Sequence, residues 1–136
     1  MSLYKIFDIA GSGMSAQNLR LNTTASNIAN AESVSSSIDQ TYRARHPVFA
    51  TVQESVMDAA SAGVRVAGIV ESDTPTRIEY HPEHPLADEN GNIFMPNVNI
   101  VEEMANMISA SRTYQTNVQV ANTAKQLIQK TLSLGQ

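Results

Sequence analysis

The last third of the chain carries its longest regular alternation of apolar and polar residues. Between Ile100 and Leu134, apolar side chains recur at alternating intervals of four and three, and neither proline nor glycine interrupts them. The ten positions of this C-terminal seam, of which only Ser111 and Lys125 are not apolar, are Ile100, Met104, Met107, Ser111, Tyr114, Val118, Ala121, Lys125, Ile128 and Leu132. Such a repeat predicts one continuous helix with a narrow apolar stripe, as in a coiled coil.

A helix of this length exceeds what a compact domain of the same size can cover. At the helical rise of 1.5 Å per residue it is about 50 Å long. A compact domain made from a chain of 136 residues is only about 30 Å across. Part of the C-terminal seam is therefore expected to be buried by something other than the globular body of the chain itself.

The first third of the chain carries a second pattern of the same kind. Its N-terminal seam consists of Phe7, Met14, Leu21 and Ile28 at intervals of seven, with Leu3, Ala10, Gln17, Thr24 and Ala31 between them. Internal glycines and many Ser, Thr and Asn residues lower its helix propensity. The two seams are expected to pair as an antiparallel coiled-coil hairpin whose weakly helical ends order on docking with partners. Ordinary two-helix packing inside one stable globule is the alternative.

The middle of the chain has the alternation and the turn residues of short strands. Residues 41–52, 63–70 and 76–80 each predict a strand, with Pro47 at a sheet edge or a bulge. Residues 53–62 fit either a loop or a helical turn. Residues 81–99 predict a loop that turns at Asn90-Gly91 and then runs as a strap along the surface. The predicted fold is mainly α with a small β insertion of short antiparallel strands.

These elements divide the chain into three segments. We expect an N-terminal helical segment over 1–34, a β-rich middle module with an extended loop over 35–98, and a long helix over 99–136 that pairs with the first segment in one core domain. The Ser-rich residues 32–37 predict a mobile connection. Asn97 or Asn99 is the expected N-cap of the long helix.

Composition and charge narrow the function classes. A net charge of −4, 5% aromatic residues and no basic run argue against a nucleic-acid surface or a polybasic membrane patch. No apolar window approaches the length that spans a bilayer, and we expect no cleaved secretory signal. The chain has no cysteine, which excludes disulfides and thiolate chemistry.

No constellation of residues predicts a catalytic site, a cofactor or a metal centre. His81 and His84 form a candidate metal pair, but zinc sites need three or four ligands and the helical His-Glu-x-x-His arrangement is absent. We interpret both as surface histidines. Gly11 and Gly13 lack the third glycine and the preceding strand of a dinucleotide site. They are interpreted as permitting the close approach of a neighbouring helix.

Several motifs resemble those of the bacterial flagellar rod and hook family. The family's N-terminal signature is matched by LNTTASNIANA at 21–31, and the other matches are TYRAR at 41–45, GVRVAG at 63–68, HPLAD at 84–88, MPNVN at 95–99, VEEM at 101–104, MISASRTYQ at 107–115 and the stretch 122–136. They occur in order along essentially the whole chain and are most similar to a subunit of the proximal rod. One departure is at 81–83, where the family has an acidic residue before the proline.

The resemblance implies a structural subunit of the proximal rod of the flagellar basal body. Family members leave the cytoplasm unfolded through the flagellar type III export apparatus without a cleaved signal. They assemble in the periplasm into the hollow drive shaft that transmits torque. The implied partners are the chain itself, the rod proteins FlgB, FlgF and FlgG, the adaptor FliE and the export apparatus, with no nucleic acid and no direct membrane insertion.

The two seams and their polar neighbours supply the predicted subunit-interaction residues. These are Phe7, Met14, Leu21, Asn27, Ile28, Asn30, Met104, Met107, Tyr114, Val118, Ala121, Ile128 and Leu132. Asn27 and Asn30 are expected to hydrogen-bond between helices or subunits, because buried amides need partners. The competing function is a soluble helical-hairpin binding module that holds a ligand or metal at the His-Pro loop around His81 and His84.

Overall fold

The chain begins and ends with a long helix, and its strands lie between the two helices in sequence. The computed structural model describes residues 3–53 and 62–136. Its elements in chain order are helix α1 (Leu3–Asn30), a short 3-10 helix (Ile38–Gln40), strands β1 (Arg45–Gln53), β2 (Ala62–Glu71), β3 (Arg77–Tyr80) and β4 (Asn92–Met95), and helix α2 (Ile100–Leu134). The predicted mainly helical class with short antiparallel strands is confirmed at this level. The segment predicted as either loop or helical turn lies almost wholly outside the described residues.

Helix α2 begins at a side-chain cap. The Asn99 carboxamide oxygen accepts from the N–H groups of Val101 and Glu102, at 3.1 and 3.4 Å. These are two of the N–H groups that a helix leaves without an internal partner. Asn97, the other candidate cap, instead accepts from the Ala44 N–H at 2.8 Å and anchors the chain before the helix.

The two helices lie side by side and run in opposite directions. Three pairs of residues mark their contact, and they occur in reverse order along the two helices: Gly13 with Asn117, Arg20 with Asn106, and Asn27 with Glu103. A Cβ at Gly13 would lie 2.7 Å from Asn117 Nδ2, so glycine permits this approach. With Gly13 opposite Asn117, the last turns of α2 extend past the first described residue of α1, Leu3.

Small and polar side chains occupy the centre of this helix contact. The buried residues are Ala10, Ala16, Thr23, Thr24 and Asn27 of α1, and Glu103, Ala110 and Ala124 of α2. The large apolar residues of the N-terminal seam flank this centre and are only half-buried. The buried members of the predicted seam within α1 are instead small ones, Ala10 and Thr24. Small side chains allow the backbones to approach, and the large ones are displaced to the edges.

The predicted C-terminal seam is displaced by one residue from the line of closest contact. Glu103, Ala110 and Ala124 are buried, whereas Met104 and Lys125, each the next residue in the chain, are exposed. Of the predicted apolar positions, Met107, Val118, Ala121 and Ile128 are half-buried. The helix is thus rotated relative to the prediction, because its innermost residues are glutamate and alanine. A search for large apolar side chains does not favour either residue.

Strands β1 and β2 form one antiparallel pair. The register runs from Arg45 opposite Glu71 to Gln53 opposite Ala62, with an irregularity between Val48 and Phe49. The predicted edge or bulge position of Pro47 is confirmed, because it lies beside this irregularity in a two-stranded sheet. Strand β1 begins at Arg45 instead of residue 41, and the three predicted strands do not share one sheet.

Strand β4 was predicted as part of a surface strap and is instead buried. It pairs with β3 through Ile78 opposite Phe94, and Phe94 also exchanges two backbone hydrogen bonds with Ser35 at 2.9 and 3.1 Å. Ile93, Phe94 and Pro96 are buried. The Ser-rich stretch predicted as a mobile connection is thus tied to this sheet. Four residues between Gly91 and Pro96 gave too short an alternation to stand out from the turn signals around it.

Substitution of Gly91 is expected to destabilise this sheet more than substitution of any other described glycine. Its φ is +79°, and a Cβ there would lie 2.9 Å from Tyr80 Cε2 and 3.0 Å from Pro82 Cβ. We expect Gly91→Ala to lower the free energy of unfolding by roughly 1–3 kcal/mol, from backbone strain and this crowding. Urea unfolding measures it. Gly68→Ala is the control, because its Cβ meets nothing within 4 Å in the described structure; equal losses in both variants would contradict the assignment.

Candidate subunit-interaction surface

Asn27 joins the two helices to the first sheet. It is 0% exposed. Its Nδ2 donates to the Arg45 carbonyl at 2.8 Å and to Glu103 Oε2 at 3.1 Å. Its Oδ1 accepts from the Tyr42 hydroxyl at 2.8 Å and from the Arg45 N–H at 2.9 Å. The whole hydrogen-bonding capacity of this amide is therefore used to hold α1, β1 and α2 together.

Glu103 is a buried carboxylate at this junction. It is 3% exposed and lies in the first turn of α2, where the helix dipole favours negative charge. One oxygen accepts from Asn27, and the other is 3.9 Å from His46 Nδ1. The sequence predicted the helix-start position but not the burial. The sequence feature that relates to this burial is the spacing of seven residues between Glu103 and Ala110, which places both on the same side of α2, and Ala110 is also buried.

Asn30, the second predicted amide, makes a different contact. Its Nδ2 donates to the Ser26 carbonyl at 2.8 Å, within α1. The Ser26 hydroxyl in turn lies 3.2 Å from the Tyr42 hydroxyl. Of the two asparagines, only Asn27 forms side-chain hydrogen bonds between elements in the described structure.

The predicted apolar interaction residues fall into two groups. Phe7, Met14, Leu21, Ile28, Met107, Val118, Ala121 and Ile128 are half-buried at the flanks of the helix contact. Met104, Tyr114 and Leu132 are exposed. The first group supplies part of the contact within the chain, and the second leaves apolar surface in solvent.

Helix α2 exposes more apolar surface than its predicted seam accounts for. Its exposed large hydrophobic residues are Val101, Met104, Ile108, Tyr114, Val120, Leu127, Leu132 and Leu134. Five of these eight were not predicted as interaction residues. Val120, Leu127 and Leu134 lie seven residues apart on another side of the helix, and this spacing was the signal that the sequence offered. Contiguous exposed apolar surface of this kind typically marks an interaction site.

The His-Pro loop contains ordinary surface histidines. His81 Nε2 lies 3.4 Å from Glu79 Oε2, and His84 Nδ1 accepts from the Leu86 N–H at 3.1 Å. Within residues 3–53 and 62–136, no three His, Cys, Asp or Glu side chains are grouped so that they could hold a metal ion. The binding-module alternative therefore gains no support from this loop. In the same ranges, no helix has both the length and the apolarity to cross a membrane.

Comparison with known proteins identifies the class to which this arrangement belongs. The family model described as Flagella basal body rod protein matches residues 7–34, which cover most of α1 and the four residues after it. The model described as Flagellar basal body rod FlgEFG protein C-terminal matches residues 89–134, which include β4 and α2. The two regions that carry the helix contact are thus those by which flagellar rod proteins are recognised.

Full-length relatives show which family of rod proteins the chain resembles. The flagellar basal-body rod protein FlgC of Salmonella typhimurium is 51% identical over 136 residues, and that of Escherichia coli O157:H7 is 52% identical, with all of both chains covered in each case. FlgC of Borreliella burgdorferi is 33% identical, with 98% of each chain covered. The chain belongs to the FlgC family of flagellar basal-body rod proteins. It is a structural protein of the rod and not an enzyme.

Removing the Asn27 amide should destabilise the junction of α1, β1 and α2. Asn27→Ala leaves the Glu103 carboxylate without its amide donor and removes the acceptor of the Arg45 N–H. We expect a loss of about 2–4 kcal/mol in the free energy of unfolding, because each buried group left unpaired costs about 1–3 kcal/mol. Asn22→Ala, at an exposed position of α1, is the control. Thermal unfolding at the same temperature for both variants would contradict the role given to Asn27.

Proposed function

We propose that this chain builds the proximal rod through its two terminal helices, whose surfaces are completed by other copies and by related rod subunits. The observation that carries the proposal is the set of large apolar side chains that α2 leaves exposed along its length. Covering one such side chain is worth about 1.5–3 kcal/mol. Several of them buried together supply the free energy for stable association.

The helix pair is proposed to act as an antiparallel coiled coil at the core of the rod. In α1, Gly13, Arg20 and Asn27 are seven residues apart, and each has a partner on α2. In this division, residues 1–34 and 99–136 form one core domain and residues 35–98 form an outer module. Alanine, threonine and glycine at the centre of the contact bury little apolar area, so the pair is weak by itself.

A weak helix pair suits a subunit that is exported before it assembles. Chains that unfold at little cost pass through a narrow export apparatus more readily, and contacts with neighbours then restore helix order. We propose that the chain leaves the cytoplasm through the flagellar type III apparatus without a cleaved signal and assembles in the periplasm. Its proposed neighbours there are further copies, FlgB, FlgF, FlgG and the adaptor FliE.

The subunit contacts are proposed to be heterologous. Two different surfaces that meet between successive copies generate a helical array when the rotation between copies does not close a ring, whereas one self-complementary surface closes into a dimer. The proposed contact residues are Phe7, Met14, Leu21, Ile28, Asn30, Met104, Met107, Tyr114, Val118, Ala121, Ile128 and Leu132, with Asn27 supporting them from within the chain. An array of this kind around an axis makes a hollow shaft that transmits torque.

A charge on the apolar surface should stop assembly and thus swimming. Val118 and Ile128 are half-buried, and Leu132 is exposed. We expect Val118→Asp, Ile128→Asp and Leu132→Asp to abolish motility in a strain that lacks the unchanged chain, because burying a lone carboxylate costs several kcal/mol. Swimming in soft agar measures it, with protein levels determined by immunoblot.

Leu132→Asp separates assembly from folding. Because its side chain is exposed, the purified variant should unfold at the temperature of the unchanged chain while its cells do not swim. Gln129→Asp, at an exposed polar position of the same helix, should swim. Normal swimming by all three apolar-to-Asp variants at normal protein levels would rule out the proposed contacts.

A further inference from the structure

Helix α2 carries a second row of apolar groups that the contact with α1 does not use. Val120, Leu127 and Leu134 are 43%, 49% and 88% exposed and lie seven residues apart. Thr116 lies one turn before Val120, and Thr123 lies between Val120 and Leu127; their hydroxyls donate to carbonyls of α2 itself at 3.0 and 2.9 Å. The methyl groups of both threonines are then what a partner would meet. We call these five residues the outer row.

The outer row borders a groove that continues the contact within the chain. Ile6 of α1 lines the groove together with Val120 and Leu127, and the buried Ala124 is among its lining residues. A third helix in this groove would touch both α1 and α2. The groove therefore extends an existing helix interface instead of standing alone on the surface.

Helix α1 offers a surface of matching character. A Cβ at Gly11 would meet nothing within 4 Å in the described structure, whereas one at Gly13 would meet Asn117. Glycine weakens a helix relative to alanine, so an internal glycine needs a reason. The contact within the chain supplies that reason for Gly13 but not for Gly11. With exposed Ser15 in the next turn, the helix is narrow enough here for another helix to approach closely.

One acidic side chain of α1 lies near Gly11, and the outer row of α2 has basic neighbours. From Met104 to the last residue, α2 carries Arg112, Lys125 and Lys130 and no acidic side chain. Asp8 is exposed on α1, one turn before Gly11. If a neighbouring copy has the same orientation, its α1 runs antiparallel to α2 as within the chain. Arg112 and Lys130 flank the outer row, four residues before Thr116 and three after Leu127, whereas Lys125 lies on the opposite side of α2.

We propose that the outer row of α2 in one copy docks on the Gly11 face of α1 in a second copy. The inference rests on the proposed function and specifies the two faces that meet. Because the faces differ, a docked pair keeps one face of each kind free, and addition continues where the rotation between copies does not close a ring. The flanking residue Ile6 then lies where the first helix pair meets the next.

Disulfide trapping tests the pairing directly, because the chain has no cysteine of its own. One plasmid carries Gly11→Cys and a second carries Thr116→Cys, Val120→Cys or Leu127→Cys, so that a mixed disulfide joins two different copies. Both chains are produced in cells that lack the unchanged chain, the cells are oxidised, and basal bodies are isolated. We expect a disulfide-linked dimer containing one chain of each kind.

Two controls separate the possible failures. A single chain with Gly13→Cys and Asn117→Cys, which face each other within the chain, reports whether oxidation reached the rod. Gln126→Cys with Gly11→Cys, at an exposed position about a quarter-turn from Leu127, should give less dimer. No mixed dimer from any outer-row position, with the internal pair oxidised, overturns the pairing and leaves the proposed function standing. Flagella whose basal bodies lack the chain overturn both.

A bulky residue at Gly11 provides a second test without cysteines. Gly11→Leu adds a better helix former where the described structure has space, so the melting temperature of the purified chain should not fall. The leucine should nevertheless hold the neighbouring helix away, and cells should lose swimming. Normal swimming with the variant incorporated into basal bodies would overturn the pairing.

Discussion

The buried hydrogen bond between Asn27 and Glu103 fixes the position of both helices. A carboxylate that is removed from water needs a donor, and the Asn27 amide supplies one. The same amide binds the N–H and carbonyl of Arg45 at the start of β1. The junction therefore sets where α1 ends its contact, where α2 begins and where the first sheet is attached. From this end the helix contact continues through Arg20 with Asn106 to Gly13 with Asn117.

Away from the junction the contact becomes weak. Its centre is made of alanine, threonine and glycine, and its large apolar residues lie at the edges or in solvent. We propose that neighbouring subunits cover the exposed apolar residues in the outer turns of α2. That proposal agrees with membership of a family whose members assemble into a rod. It also accounts for a chain that has long regular helices and yet few large buried side chains.

The sequence predicted the framework of the fold well. Two helices with 4-3 periodicity, Asn99 as one of two possible caps and Pro47 beside a bulge all follow from local rules that tertiary contacts did not override. What the sequence could not supply was which stripe of each helix lies innermost. Apolar periodicity favours Met14 and Met104, whereas the helices approach through Gly13 and Glu103. Small size and a buried charge are invisible to a search for hydrophobic side chains.

The same limit applies to the middle of the chain and to the interaction surface. Strand β4 is four residues long and is stabilised by Ser35, which is far from it in sequence. Exposed residues such as Val120 and Leu127 stand out only once the helix contact is known, because only then is it clear which apolar side chains it leaves uncovered. The resemblance to flagellar rod proteins, by contrast, depended on motifs along the whole chain, and the comparisons confirm it.

Amide hydrogen exchange of the purified chain and of isolated basal bodies tests the central claim most directly. The account predicts that peptides around Asn27 and Glu103 are protected from exchange in both samples. Peptides from the last turns of α2, residues 129–134, should exchange rapidly in the purified chain and slowly in the basal body, because all six residues are exposed in the described structure. Strong and equal protection of those turns in the purified chain would contradict the account, because the helices would then be complete without neighbours.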